Sequence, residues 1–124
     1  MALQFNVVEK YNPQTKDKKW YASPKQTGKH DLQDLSKEIS QMSSLSQGDV
    51  YNTIMNLCEV LPKLLMEGNS VKLEGFGTFR LSFSSEGSVN KDDITANSIK
   101  DVYILFNPDE AIKEKVSHTK INPA

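Results

Sequence analysis

The sequence predicts an α+β fold, and three observations predict it. Apolar residues alternate at period two near the start (Leu3, Phe5, Val7) and again at Phe79, Leu81 and Phe83, the pattern of strands with one covered face. Between these blocks, apolar residues recur at helical spacing. Clusters of Asn, Pro, Asp and Gly punctuate the boundaries. In chain order the elements read β-β, α-α, β-β, β, α.

The first pair comes from "LQFNVVEKY" and "KKWYAS". Between them "NPQTKD" holds Asn, Pro and Asp, residues suited to tight turns. Residues 3 to 23 are therefore expected to form a β-hairpin, and "PKQTGKH" a linker. In "DLQDLSKEISQM", Leu32, Leu35, Ile39 and Met42 share one helical face, with Asp31 as N-cap. "SSLS" breaks this helix, and Ser46 caps the next. Its stripe is Val50, Ile54, Leu57, Leu61 and Leu64, widened by Cys58 and Leu65, so it is expected to be covered on more than one side. Pro62 predicts a kink near Cys58 to Pro62, because it removes a backbone donor and crowds the preceding turn. Gly68-Asn69 ends the helix through a left-handed residue.

"SVKLEGFGTFRLSF" then predicts two strands joined by a tight Gly-Phe-Gly turn. "SSEGSVNKDDITANSIK" carries weak structural signals. "DVYILF" is a strand, stopped by Asn107-Pro108, and "DEAIKEKV" a short helix. "SHTKINPA" is expected to be frayed. Three regions follow: an N-terminal hairpin and linker over 1–30, a main domain over 31–116, and a flexible tail over 117–124.

Composition narrows the function classes. The hydrophobic fraction is 37% and the charged fraction 25%, as in a soluble globular domain. The single cysteine, Cys58, excludes an intrachain disulfide and a cysteine zinc cluster, and reads as an inert core thiol. His30 and His118 lack metal-ligand spacing. No apolar run approaches the roughly 20 residues of a membrane span. The start lacks a basic region followed by an apolar one, so a cytoplasmic protein is expected. "GFGTFR" lacks the third glycine of a phosphate loop, and Asp92-Asp93 reads as a solvated pair. No nucleophile and base stand together, so neither an enzyme nor a cofactor is expected.

Charge is unevenly spread. The net charge is −1, which argues mildly against nucleic acid. Up to Lys29, however, six lysines (Lys10, Lys16, Lys18, Lys19, Lys25, Lys29) face only Glu9 and Asp17, giving +4. The remainder carries nine basic and fourteen acidic residues, or −5. A basic surface should therefore involve the N-terminal segment.

The stretch "LSQGDVYNTIMNLCEVLPKLLMEGNSVKLEGFGTFRL", with "FNPDEAIKEKV" after it, resembles the HU and integration host factor family of bacterial histone-like nucleoid proteins. The likeness covers about two thirds of the chain. The N-terminal hairpin resembles that of HU-related proteins with an added N-terminal segment. The resemblance implies an intertwined homodimer or heterodimer: a helix-turn-helix base, a three-stranded antiparallel β-saddle, and arms that bend DNA through the minor groove. It makes Phe76, Phe79 and Phe106 the aromatic dimer core and Gly75 and Gly77 the turn between strands. Two readings of the residues agree with a dimer: the breadth of the second helix's stripe, and three phenylalanines on so small a sheet.

The family's DNA-contacting positions are poorly matched. Ser82 and Ser84 stand where the resemblance implies arginines at the arm base. The arm itself, Ser82 to Ile99, is shortened or altered. It has no proline to act as a wedge, and Lys91 faces Glu86, Asp92 and Asp93, giving −2. Asn107 and Glu110 fill family lysine positions; Arg80 and Lys113 are the basic residues left. "YNPQTKDKKWY" offers a replacement. Pro13 would wedge between base pairs, the lysines would touch phosphates, and Trp20 or Tyr21 would stack on a base. The plainer reading makes Pro13 a turn residue and packs Trp20 under its own sheet. The expected function is largely sequence-independent architectural binding of duplex DNA by a nucleoid-associated dimer. The expected DNA-binding residues are Lys10, Lys16, Lys18, Lys19, Lys25, Lys29, Arg80 and Lys113. The alternative is a dimeric interaction or structural module that has lost DNA binding.

Overall fold

A computed structural model describes residues 2–124. Strands β1 (Leu3–Asn12) and β2 (Asp17–Lys25) form the expected hairpin, with Asn12 opposite Asp17 and Gln4 opposite Lys25. The turn between them is built by Asn12. Its carbonyl accepts from the Lys16 N–H at 2.7 Å, and its Oδ1 accepts from the Gln14 N–H at 3.0 Å. Pro13 opens this turn, where its fixed φ fits. Lys16 closes it in the left-handed region, at φ 58°.

The two helices are set by their caps. The Asp31 carboxylate accepts from the Asp34 N–H at 2.9 Å, and Asp34 returns the contact from the Asp31 N–H at 3.1 Å. This reciprocal box opens α1 (Leu32–Met42). Ser46 Oγ accepts from the Asp49 N–H at 3.1 Å and opens α2 (Gln47–Met66). Helix α2 continues through Pro62 without a break. Gly68 sits at φ 93°, and the Gly68 and Asn69 N–H groups donate back to the Leu65 and Leu64 carbonyls. This double closure satisfies carbonyls the helix end would leave orphaned.

Strands β3 (Val71–Leu73), β4 (Gly77–Ser85) and β5 (Ile99–Pro108) form the expected antiparallel sheet, in that spatial order. The Gly-Phe-Gly turn is fixed twice. Gly75 takes φ 78°, and its N–H donates to Asp109 Oδ2 at 3.0 Å. A side chain on Gly77 would place its Cβ 2.6 Å from the Asn107 carbonyl and against the Phe106 ring. Phe76, Phe79 and Phe106 cluster beside this turn, with ring centroids 4.7 to 6.3 Å apart. The segment between β4 and β5 holds only two 3₁₀ turns, Lys91–Asp93 and Ala96–Ser98, so no long paired arm forms. Helix α3 (Glu110–Ser117) follows β5.

Two expectations are corrected. The tail is not wholly frayed: Ile121–Pro123 forms β6, which runs parallel to β1 and pairs with Leu3, Gln4 and Phe5. Backbone pairing at an open strand edge supplies order that three residues of sequence do not advertise. Cys58 is exposed rather than buried. It lies with Pro62, Lys63 and Met66 on a side of α2 that the chain's own elements leave open.

The chain's own core is small. On α1 and α2 the buried residues are Ser36, Val50 and Leu65, and Ser36 Oγ donates to the Leu32 carbonyl at 2.7 Å. Phe76 and Phe106 remain 44% and 39% exposed. The single chain exposes 10553 Å², whereas a compact monomer of its mass exposes about 6,700 Å².

Candidate nucleic-acid interface

The register of the N-terminal sheet sorts its lysines. Side chains alternate along a strand, and directly paired residues share a face. Lys10 pairs with Lys19, and Gln4 with Lys25. These three lysines therefore lie on one face, with Gln4, Asn6, Asn12, Tyr21 and Ser23. Asp17 is the acid of that face. Lys10 Nζ lies 5.7 Å from the centre of the Tyr21 ring, a cation–π distance that holds the lysine along the sheet surface. Lys10, Asn12, Asp17, Lys19 and Tyr21 line a shallow hollow there.

The opposite face is apolar. It carries Leu3, Phe5, Val7 and Tyr11 of β1, Trp20, Ala22 and Pro24 of β2, and Ile121 of β6. Lys18 falls on this side, 3.9 Å from Glu9 Oε1. Trp20 also falls here and is 67% exposed. It does not pack under its own sheet as the sequence suggested. Among the described residues, neither the helices nor the second sheet packs extensively on this face. Lys16 stands at the hairpin tip beside Pro13, and Lys29 lies in the linker, both exposed.

The second sheet also has a polar face. Arg80, Ser82 and Ser84 share it by parity, and register adds Lys72 and Lys100, which the sequence reading missed. Lys72 follows the same parity as Thr78 and was legible in principle. Lys100 was not, because an irregularity in the pairing between Ser82 and Ser84 shifts its position. Asp101 lies in that irregular stretch at φ 50°. The cations here have acid neighbours: Lys72 lies 3.8 Å from Glu74, Lys100 2.6 Å from Glu86, and Lys113 of α3 3.6 Å from Glu110. Arg80 has no carboxylate within ion-pair distance among the described residues. The structure thus gathers Lys10, Lys19, Lys25 and Tyr21 into one surface. It leaves Lys16, Lys18, Lys29 and Lys113 outside that surface and sets Arg80 on a different sheet.

A capped helix pair, a three-stranded sheet with a glycine-clipped turn, and lysine-bearing strand faces define a protein of the HU-fold class. Comparison with known proteins makes the assignment specific. Residues 1–123 match the family described as "HU domain fused to wHTH, Ig, or Glycine-rich motif", and the chain belongs to that family. Integration host factor subunit alpha of Haemophilus influenzae is 30% identical over 90 residues, covering 70% of this chain and 93% of the relative. Among solved structures, a proposed DNA binding protein of Bacteroides vulgatus superimposes with a TM-score of 0.68 at 17% identity, over 98% of this chain. The chain spans about half of that protein, 47% of its length. Anabaena HU, crystallised with DNA, gives a TM-score of 0.56 at 17% identity, covering 72% of this chain and 99% of the other. These two likenesses concern the fold.

Proposed function

We propose that the protein is an architectural DNA-binding protein that holds duplex DNA as a dimer, with little sequence preference. The observation that carries this reading is the lysine face of the N-terminal sheet. Lys10 and Lys19 are paired there near the hairpin turn, and Lys25 stands about 20 Å along the same face, with amide side chains, Val8 and Tyr21 between them. Such a face neutralises phosphates whatever the base sequence. It replaces the arm contacts that the short acidic segment after Ser85 does not offer, and Arg80 adds to it from the second sheet. The likeness to integration host factor and to an HU protein crystallised with DNA supports this reading. The dimer is supported by the large exposed area and by the open Phe76, Phe79 and Phe106 cluster, which a second copy would cover. A nucleoid-associated location follows from the function. Among the described residues, no helix is long and apolar enough to cross a membrane.

One set of contacts favours a second reading, a dimeric interaction module without DNA binding. Glu74, Glu86 and Glu110 sit beside Lys72, Lys100 and Lys113, so those cations are already occupied. Titration with a duplex of arbitrary sequence at two salt concentrations separates the readings. Binding that weakens steeply with salt supports the first. No binding at about 50 mM salt, where screening is weak, favours the second.

A further inference from the structure

We propose that the apolar face of the N-terminal sheet is an interface with a second copy of this chain, each Trp20 seated on the partner's sheet. The inference rests on the dimeric reading above. It adds a contact outside the phenylalanine cluster.

Three observations carry it. First, the face is uncovered: Trp20, Val7 and Ile121 are 67%, 61% and 62% exposed. A small sheet with both faces in water is marginal, so this side needs a partner. Second, the face is electrically neutral. Its charged residues are Glu9 and Lys18, which pair with each other. The opposite face carries three lysines against Asp17. Two copies meeting through the apolar side bring no like charges together, whereas the lysine side would repel its copy. The same neutrality disfavours DNA as the occupant.

Third, the face is complementary to itself. A projecting Trp20 stands at one end. At the other, Leu3, Phe5, Ala22, Pro24 and Ile121, with the intervening Gln4 and Ser23 at its margin, line a mostly apolar hollow of about 350 Å³. Pro24 lies four residues beyond Trp20 along the strand, about 13 Å. The pair Val7–Ala22 lies midway between them. A two-fold axis through that pair sets each tryptophan over the other copy's hollow, as an isologous contact requires. Ala22 is small enough for the sheets to approach to the usual distance of about 10 Å. The two lysine faces then point outward, away from each other.

Trp20 is the sole tryptophan, so the full chain without DNA reports on the contact directly. We expect blue-shifted emission and strong protection from iodide at concentrations where sedimentation shows a dimer. Trp20→Glu and Val7→Glu should each raise the dimer's dissociation concentration at least tenfold. Lys19→Glu, on the other face, should leave it unchanged. Should Trp20→Glu fail to fold, the fluorescence of the unaltered protein still decides. A dimer whose Trp20 is freely quenched overturns this contact alone, as does protection that appears only when duplex is added. A monomer at all concentrations overturns the dimer reading with it.

Discussion

Replacing Lys10 and Lys19 by glutamine tests the lysine face most directly. The two are directly paired across β1 and β2, so the double change removes both lysines near the hairpin turn without touching the backbone ladder. If Lys10, Lys19, Lys25 and Arg80 of both copies each meet a phosphate, the duplex bending around the dimer to reach both outward faces, about eight contacts form, and log affinity falls with log salt at a slope near −7. Between 50 and 200 mM salt the unaltered protein should then lose about 10⁴-fold in affinity. The double variant keeps about four contacts, a slope near −4, and a loss of only about 10²-fold over the same range. Fluorescence anisotropy with a labelled duplex, repeated at four or five salt concentrations, measures both slopes. A second duplex of unrelated sequence should give the same pair. Lys18→Gln serves as the control, because Lys18 lies on the apolar side beside Glu9. A double variant with an unchanged slope refutes the placement of DNA on this face, and a slope that changes equally for Lys18→Gln refutes the sorting by register.

Three further outcomes test the fold. Ser46→Ala removes the side-chain acceptor for the Asp49 N–H and should cost about 1 kcal/mol in urea unfolding. Gly77→Ala forces a Cβ against Phe106 and the Asn107 carbonyl, so the β4–β5 ladder must shift; a loss of about 1–3 kcal/mol is expected by the same measurement. Acid should fray α1 first. The Asp31 N–H holds the Asp34 carboxyl below its ordinary value of 3.8, aided by His30. A carboxylate whose folded value is depressed adds stability that is present above the unfolded value and lost as pH falls through the folded one. Helicity should therefore decline below about pH 4, and Asp34→Ala should remove that part of the acid transition in circular dichroism.

Much of this architecture was legible because it rests on local periodicity and caps. Asp31, Ser46 and Gly68 mark helix boundaries through chemistry that acts within a few residues, and the structure shows each doing so. The Gly-Phe-Gly turn was legible for the same reason. The candidate surface was only half legible. The lysine excess was plain, but which lysines share a face depends on the register across the Asn12–Asp17 turn. Alternation along β2 separates Lys18 from its neighbour Lys19, and the register decides which of them joins Lys10. Trp20 and Cys58 were misjudged because apolar character was read as burial within one chain, while the fold leaves those sides open. Strand β6 escaped notice because its order comes from an edge supplied by residues at the far end of the sequence, not from "INP" itself.

That pairing sets a timetable for the nascent chain. The β1–β2 hairpin is local and can form as soon as Lys25 emerges, and the helices can follow from their own caps. The third strand of the first sheet comes from beyond both helices and the second sheet, and the Leu3 N–H finds its acceptor on Lys120. Contacts across such a span close late, after the loop entropy has been overcome. During synthesis the outer edge of β1 is therefore an unpaired strand beside an uncovered apolar face, the arrangement most open to wrong pairing. Pulsed hydrogen exchange during refolding should find the β1 amide of Leu3 protected after those shared with β2.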